Sequence, residues 1–269
     1  MMSPRLLFGL SLLFLGGCAE AERVMLAISP EQEQGRTAKR LVDARPKTKV
    51  AKSVQTQPPT PPITAPEAIM PAWSVPSPKP SRVLTSTLTP SHLFKKVSPT
   101  VYVVMVQGKV TKQVTSQGSA VAISSKEAIT NCHVLAGAKG IVLANAAAKY
   151  RAEIISADPQ KDRCYLRVLD GELEPVPGFR DYATLAVGEV VFTIGSPKGL
   201  ANTLSNGLLS GLRKSDDNSE YIQISAPVSE GSSGGGVFDD CGNLIGVITF
   251  TIKDSQNLNF AIAASQFWR

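Results

Sequence analysis

Three polar side chains in this sequence have the types that serine-based hydrolysis requires. His133 follows an apolar segment, Asp162 lies further along the chain, and Ser233 stands in the segment Gly231-Ser232-Ser233-Gly234-Gly235. A hydroxyl is a weak nucleophile at neutral pH. It needs an imidazole to take its proton, a carboxylate to orient that imidazole, and backbone N–H groups to hold the oxyanion. The chain supplies one candidate for each part.

The sequence contains two histidines, and His133 is the better candidate for the base. It lies where an apolar strand is predicted to turn, and an imidazole with a pKa of about 6.5 can accept a proton and return it. His92 stands at the start of a predicted short helix with no cluster of carboxylates around it. We therefore expect His92 to be an exposed residue without a catalytic role.

The glycines around Ser233 let the backbone turn sharply and direct successive N–H groups inward. Gly231 and Ser233 are the expected oxyanion donors. Because flexible turns are also rich in glycine, the order of the three residues along the chain matters more. No histidine follows Ser233, which excludes the order Ser, Asp, His. Between Leu93 and Cys132 the only acid is Glu127, which disfavours an acid before the base.

The segments that must position these residues are short, rich in β-branched and aromatic residues, and separated by turn residues. This spacing predicts an all-β protein rather than βαβ units. A short helix, capped by Ser91, is predicted at 91–97 and a helical stub at 264–269. The predicted strands form two series of six, which suggests two small barrels: 100–107, 118–124, 128–132, 141–144, 150–156 and 164–168, then 189–194, 203–212, 221–224, 235–238, 244–251 and 257–262.

Six segments then match one known family in order: Gly118-Ser119-Ala120-Val121, Thr130-Asn131-Cys132-His133-Val134, Asp158-Pro159-Gln160-Lys161-Asp162 running into Leu166-Arg167-Val168, Ile194-Gly195-Ser196-Pro197, Gly231-Ser232-Ser233-Gly234-Gly235 and Asn259-Phe260-Ala261-Ile262. On these segments, residues 95–265 resemble the trypsin-like serine proteases, in particular the bacterial HtrA-type branch. The resemblance implies two six-stranded antiparallel barrels, at about 98–172 and 183–264, with the active site between them. It also implies that His133 is the base, Asp162 the orienting acid and Ser233 the nucleophile.

The family places the acid just before an alternating apolar strand, which favours Asp162, although Asp158 in the same loop is an alternative.

Two positions near the implied catalytic residues depart from the family. Arg163 stands where the family usually has an apolar residue. Ser232 stands where the digestive enzymes carry an aspartate that binds a new N-terminus, so activation by that ion pair is not expected.

The resemblance also implies a specificity pocket with Pro227 at its base, between Ala226 and Val228. Since no carboxylate stands there, the sequence predicts a preference for small or medium apolar side chains before the scissile bond. Phe250 and Phe260 are expected as its walls, although aromatic residues on strands are more often core.

The cysteines predict one disulfide. Cys132 adjoins His133 and Cys164 follows Asp162 by two positions, so contact between base and acid would bring the two sulfurs together. We therefore expect a Cys132–Cys164 bridge; buried free thiols are the alternative. No Cys-x-x-Cys spacing occurs, and a metal site is not expected.

The first residues have the layout of a secretory signal, with Arg5, a short apolar run and small residues before Cys18. The segment Leu15-Gly16-Gly17-Cys18 resembles the bacterial lipobox. This implies removal of residues 1–17, lipid attachment at Cys18 and, since Ala19 follows, an outer membrane position facing the periplasm in a Gram-negative cell.

Residues 18–89 are predicted to be a disordered, basic and Pro-rich tether, leaving 90–269 as the folded domain. The segment from Arg36 to Lys52 carries seven basic residues and one acid, and so accounts for the net charge of +6. Without interleaved aromatic residues this segment does not indicate nucleic-acid binding. Met70 and Trp73 are candidates for a docking motif, although two isolated apolar residues more often have no such role.

These observations predict a lipid-anchored serine endopeptidase of the cell envelope that acts on proteins or peptides without a cofactor. The alternative is an inactive protease fold that serves as a binding module. The similarity ends before the C-terminal PDZ module of full HtrA proteins, so the sequence carries no expectation for the oligomeric state.

Overall fold

The computed structural model describes residues 71–75, 78–108, 114–197, 202–251 and 258–269. The predicted signal segment, Cys18, Met70 and the basic segment lie outside the described residues. In the described part of the chain, no helix combines the length and the apolar character needed to cross a membrane.

The first six strands close into an antiparallel barrel in the order β1-β2-β3-β6-β5-β4. Its interior is filled by large side chains that include Tyr102, Val104, Leu143 and Leu166. The strands are β1 Val101–Gln107, β2 Val114–Ala122, β3 Glu127–Thr130, β4 Gly140–Ala144, β5 Lys149–Asp158 and β6 Arg163–Val168.

The other six strands close into a second antiparallel barrel in the order β10-β11-β12-β9-β8-β7. Its own core includes Val191, Leu209, Ile222 and Ile245. The strands are β7 Val190–Gly195, β8 Thr203–Lys214, β9 Glu220–Ile224, β10 Gly236–Asp239, β11 Leu244–Thr251 and β12 Asn259–Ala263.

A third apolar cluster joins the two barrels and explains why buried and exposed residues do not alternate along some strands. In a strand with one wet face, every second residue is buried, as in much of β1. The strands β3, β10 and β12 are buried on both faces instead. Ile129 and Tyr165 of the first barrel pack in one cluster with Phe238 and Ile262 of the second. The catalytic candidates lie on loops that flank this cluster.

The predicted fold class is confirmed: the protein is built from two closed six-stranded antiparallel barrels. The short helix is also present as α1, Pro90–Val97, but its predicted cap is wrong. Thr89, not Ser91, caps it, and its hydroxyl accepts a bond from the His92 amide at 3.4 Å. Pro90 has no N–H and a fixed φ, which suits the first position of a helix, so the helix begins one residue earlier than expected. His92 is exposed, as predicted.

Residues 71–75 and 78–89, named the strap here, do not follow the prediction of a disordered tether. Leu84 forms two hydrogen bonds with the Asn243 side chain, at 2.7 and 2.8 Å, and the Leu88 amide donates to the Asp240 carbonyl at 2.8 Å. Trp73 packs on Tyr165 with ring centroids 5.4 Å apart. The described part of the predicted tether therefore packs on the domain before residue 90, and Trp73 has a packing role that the sequence did not favour. A Pro-rich segment has no core of its own, but its remaining backbone groups find partners on the barrels.

Candidate active site

His133 and Asp162 meet at one end of the first barrel. His133 lies in a 3₁₀ turn, Cys132–Leu135, directly after β3, and Asp162 lies in the turn between β5 and β6. The His133 Nδ1 atom is 2.8 Å from Asp162 Oδ2, and the His133 amide donates to Asp162 Oδ1 at 3.0 Å. Both carboxylate oxygens thus bind the same residue. A proton on Nδ1 directed to the carboxylate leaves Nε2 free to accept one.

Asp158, the alternative acid, points elsewhere. Its carboxylate binds the Arg163 guanidinium at 2.6 Å and the Lys161 amide at 3.1 Å. Asp162 is only 7% exposed, whereas the side chain of His133 is 47% exposed. The geometry therefore pairs the imidazole with Asp162 and leaves its far edge open to solvent.

A disulfide joins the two segments that carry these side chains. The expected bridge between Cys132 and Cys164 is present, with the Cα atoms 5.1 Å apart. Cys164 pairs with Thr130 in the register of β3 and β6, so the bridge extends the contact of two neighbouring strands. Among the described residues, Cys241 is the free cysteine.

Ser233 lies on the loop that leads into β10 of the second barrel. Its hydroxyl donates to the carbonyl of Thr249 at 3.1 Å, and the described residues show no hydrogen bond between Ser233 and His133. The Thr249 hydroxyl in turn donates to Asp162 Oδ2 at 2.9 Å. Thr249 therefore connects Asp162 with Ser233, and His133 joins this chain of hydrogen bonds through Asp162.

Sequence reasoning missed Thr249, although a signal was available. It is a buried polar residue in the strand Leu244–Thr251, which is otherwise mostly apolar. A buried hydroxyl requires a partner, and a carboxylate is a strong one. Only the approach of β11 to the β5–β6 turn identifies that partner.

The first barrel also holds the serine loop in place through Ser119. The Ser119 amide donates to the carbonyl of Ser233 at 2.8 Å, and its hydroxyl donates to the carbonyl of Gly231 at 3.0 Å. Gly234 has a φ of +82°, and a Cβ atom there would overlap the carbonyl of Ser119. The close contact between the two barrels thus requires glycine at position 234.

Two amides on this loop are available to a ligand. Gly231 adopts a φ of +91° at a turn in which the Ser232 amide donates to the Ser229 carbonyl at 2.9 Å. Within the described part of the chain, the amides of Gly231 and Ser233 have no hydrogen-bond acceptor. These are the two donors that the sequence analysis expected to stabilise an oxyanion.

A cavity of about 130 Å³ lies beside the loop, between β7, β8 and the segment 227–232. Pro227, Val228 and Ile248 line it, and none of the described residues that line it is charged. Phe250 and Phe260 do not line this cavity. They are cross-strand partners in β11 and β12, so their rings stack on each other with centroids 4.9 Å apart. A substrate contact by either ring remains a prediction.

Comparison with known proteins agrees with this geometry. Residues 118–247 match the model of the "Trypsin-like peptidase domain". The chain is 36% identical to "Protease Do-like 1, chloroplastic" of Arabidopsis thaliana, over 45% of this chain and 30% of the relative. It is 32% identical to "Serine endoprotease DegS" of Haemophilus influenzae, over 56% of this chain and 47% of the relative.

A solved structure described as "HtrA-type protease AlgW with decapeptide" superposes with a TM-score of 0.60 and 25% identity, over 67% of this chain and 65% of that one. The fold and these similarities define a chymotrypsin-fold protein, a member of the trypsin-like peptidases. Within them, the chain belongs to the HtrA type. It spans less than half the length of the first curated relatives that it matches.

Proposed function

We propose that this chain is a serine endopeptidase of the cell envelope, with Ser233 as nucleophile, His133 as general base and Asp162 as orienting acid. One observation carries the proposal. The Asp162 carboxylate accepts hydrogen bonds from the amide and Nδ1 of His133 and from the hydroxyl of Thr249. The carbonyl of Thr249 in turn accepts a bond from the Ser233 hydroxyl. Base, acid and nucleophile thus belong to one hydrogen-bonded unit.

Catalysis begins when the Ser233 hydroxyl turns from the Thr249 carbonyl towards His133. The Oγ atom attacks the carbonyl carbon of the scissile peptide bond while Nε2 takes its proton. The C–N bond then breaks, and the imidazolium gives that proton to the leaving amine. Water, deprotonated by the same imidazole, hydrolyses the acyl-enzyme and restores Ser233.

The amides of Gly231 and Ser233 stabilise the negative charge that develops on the carbonyl oxygen. Such donors act in place and need no reorganisation during the reaction, so each contributes up to several kcal/mol. The carboxylate of Asp162 keeps Nδ1 protonated and stabilises the imidazolium. The reaction needs no cofactor.

The expected substrates are proteins or peptides with a small or medium apolar side chain before the cut. The support is the cavity beside the serine loop, which Pro227 and Val228 line and to which no described charged residue contributes. We also propose export and lipid attachment at Cys18, with the protein facing the periplasm. The support is the lipobox-like segment together with relatives named periplasmic endoproteases.

The test is covalent labelling of the full chain by a fluorophosphonate, which forms an O–P bond with an activated serine and releases fluoride. We expect labelling of the wild type and none of Ser233→Ala or His133→Ala. The matched controls are Ser210→Ala, at an exposed serine of β8, and His92→Ala, at the other histidine; both should label like the wild type.

Labelling that persists in Ser233→Ala would overturn the assignment of the nucleophile. A folded wild type that neither labels nor cleaves peptides would identify the chain as a binding module instead. Digestion of a peptide library by unlabelled wild type from the same preparation checks specificity. Predominant cleavage after Lys or Arg would contradict the uncharged pocket.

A further inference from the structure

A buried charge lies directly after the proposed catalytic acid. The Arg163 side chain is only 3% exposed, and it stands where the related proteases usually carry an apolar residue. Its guanidinium binds Asp158 at 2.6 Å, the carbonyl of Arg269 at 3.2 Å and the carbonyl of Gln266. A buried guanidinium is costly when its partners are lost, so this network must stay closed.

The bond from Arg163 to Asp158 closes the turn that carries Asp162. Asp158 and Arg163 are register partners at the ends of β5 and β6. Between them, Asp162 adopts a φ of +53°, in the left-handed region that non-glycine residues seldom occupy. Such a conformation persists only where the surrounding structure enforces it. The clamp across the turn is one such restraint, beside the bond from Asn131 Nδ2 to the Asp162 carbonyl at 3.1 Å.

Trp73 of the strap covers the clamp. The centre of its ring lies 4.3 Å from the Arg163 guanidinium carbon, and its Nε1–H donates to the Arg269 carbonyl at 3.0 Å. One carbonyl thus accepts from both Trp73 and Arg163. Cation–π contact is strongest where the cation is shielded from water, as Arg163 is here.

The strap is anchored on both sides of the tryptophan by one buried serine. The Ser74 amide donates to the Ser156 hydroxyl at 2.7 Å, and that hydroxyl donates to the Ala72 carbonyl at 3.4 Å. Ser156 lies in β5, just before the turn. Trp73 is therefore held over the clamp by its neighbours as well as by its own ring.

We propose that Trp73 and Arg163 are positioning residues for the proposed triad. Docking of Trp73 keeps the Arg163–Asp158 clamp dry and closed, and the closed turn holds the Asp162 carboxylate on His133. The strap, although it precedes both barrels in the chain, thereby controls the turnover rate. This inference rests on the proposed endopeptidase function.

The test compares Trp73→Ala with the wild type in the full chain. We expect kcat to fall about tenfold, equivalent to ~1.4 kcal/mol, with little change in KM, because the strap does not reach the cavity beside Ser233. Trp73→Phe keeps a ring over the guanidinium and loses only the bond to Arg269, so it should retain most of kcat.

Lys79→Ala is the matched control on the other part of the strap. Lys79 also places a cation over an aromatic ring, 4.8 Å from the centre of Phe179, and forms an ion pair with Asp181. Phe179 and Asp181 lie in the segment between β6 and β7, where Phe179 bridges to Leu244, and they do not belong to the Asp162 turn. Lys79→Ala should therefore leave kcat unchanged. An equal fall in kcat in both variants would mean that the strap only stabilises the fold, and it would overturn the proposal. An unchanged kcat in Trp73→Ala would also overturn it.

A proton NMR measurement separates this inference from the proposed function. The His133 Nδ1–H proton, bonded to Asp162, should exchange faster with solvent in Trp73→Ala than in the wild type or Lys79→Ala. This readout needs a folded protein but no catalysis. Unchanged exchange in Trp73→Ala overturns the positioning role, whereas an inactive wild type with the expected exchange pattern overturns only the endopeptidase.

Discussion

The two halves of the proposed active site are held in different ways. In the first barrel, two hydrogen bonds from His133 to the Asp162 carboxylate fix the two residues, and a disulfide joins the segments that carry them. In the second barrel, Ser233 lies on a glycine-rich loop held by backbone bonds, several of them to Ser119 and Ile248. Its hydroxyl bonds to a carbonyl and not to the imidazole.

In the proposed mechanism, this difference means that the first barrel presents a base and acid that are already aligned, whereas the serine of the second barrel completes the site by a small movement. The movement that we propose is a rotation of the Ser233 side chain, which takes its hydroxyl away from the Thr249 carbonyl. Rotamer changes of this kind occur readily, in contrast to a rearrangement of the disulfide-linked segments. Substrate binding at the serine loop therefore acts on the more adjustable half.

Among the changes that test this difference between the two halves, removing the charge of the acid should have the largest effect on kcat/KM. In Asp162→Asn the amide still fills the space but no longer stabilises the imidazolium, and it favours the wrong tautomer of His133. We expect kcat/KM to fall about 10⁴-fold. Steady-state kinetics on a peptide substrate measures this.

Asp170→Asn is the matched control, because that carboxylate pairs with Arg151 at a solvent-exposed position. It should have kinetics close to those of the wild type. If Asp162→Asn remained fully active, the first barrel would not supply the acid as proposed.

Opening the disulfide should have the next largest effect. The double variant Cys132→Ala/Cys164→Ala frees a loop of 32 residues in the unfolded chain, so the free energy of unfolding should fall by roughly 3 kcal/mol. Urea denaturation followed by circular dichroism measures this change. Cys241→Ser, at the free thiol, is the control and should unfold at the same urea concentration as the wild type. A double variant as stable as the wild type would show that the bridge does not stabilise the first barrel.

The link between the halves should give the smallest effect. Thr249→Val keeps the carbonyl that holds Ser233 but removes the hydroxyl that donates to Asp162. Since hydrogen bonds to charged groups contribute about 1.5–3 kcal/mol, we expect a loss of roughly 10- to 150-fold in kcat/KM.

Thr100→Val removes a buried hydroxyl of the same kind, bonded to the Val97 carbonyl, and serves as the control for lost stability. Its kcat/KM per folded molecule should stay at the wild-type value. Equal losses in the two variants would mean that Thr249 only supports the fold.

Much of the site was predictable because local patterns carry it. Alternating apolar residues define most strands, glycine at 234 reflects a backbone approach, and the order of His133, Asp162 and Ser233 excludes competing arrangements. The disulfide followed from the expected contact between base and acid. The strap did not follow, because prolines remove helix and sheet signals while leaving Trp73 and the backbone carbonyls free to dock.

The sequence by itself determined the two-barrel fold, the candidate nucleophile and base, and the cysteine pair, because each depends on residue types within one segment or on their order. Only the tertiary structure decided that Asp162 rather than Asp158 faces His133, that Thr249 joins the two halves, and that Trp73 covers Arg163. Each of these depends on a contact whose direction is set by backbone and side-chain geometry, often between distant segments. No periodicity within a single segment records such a contact.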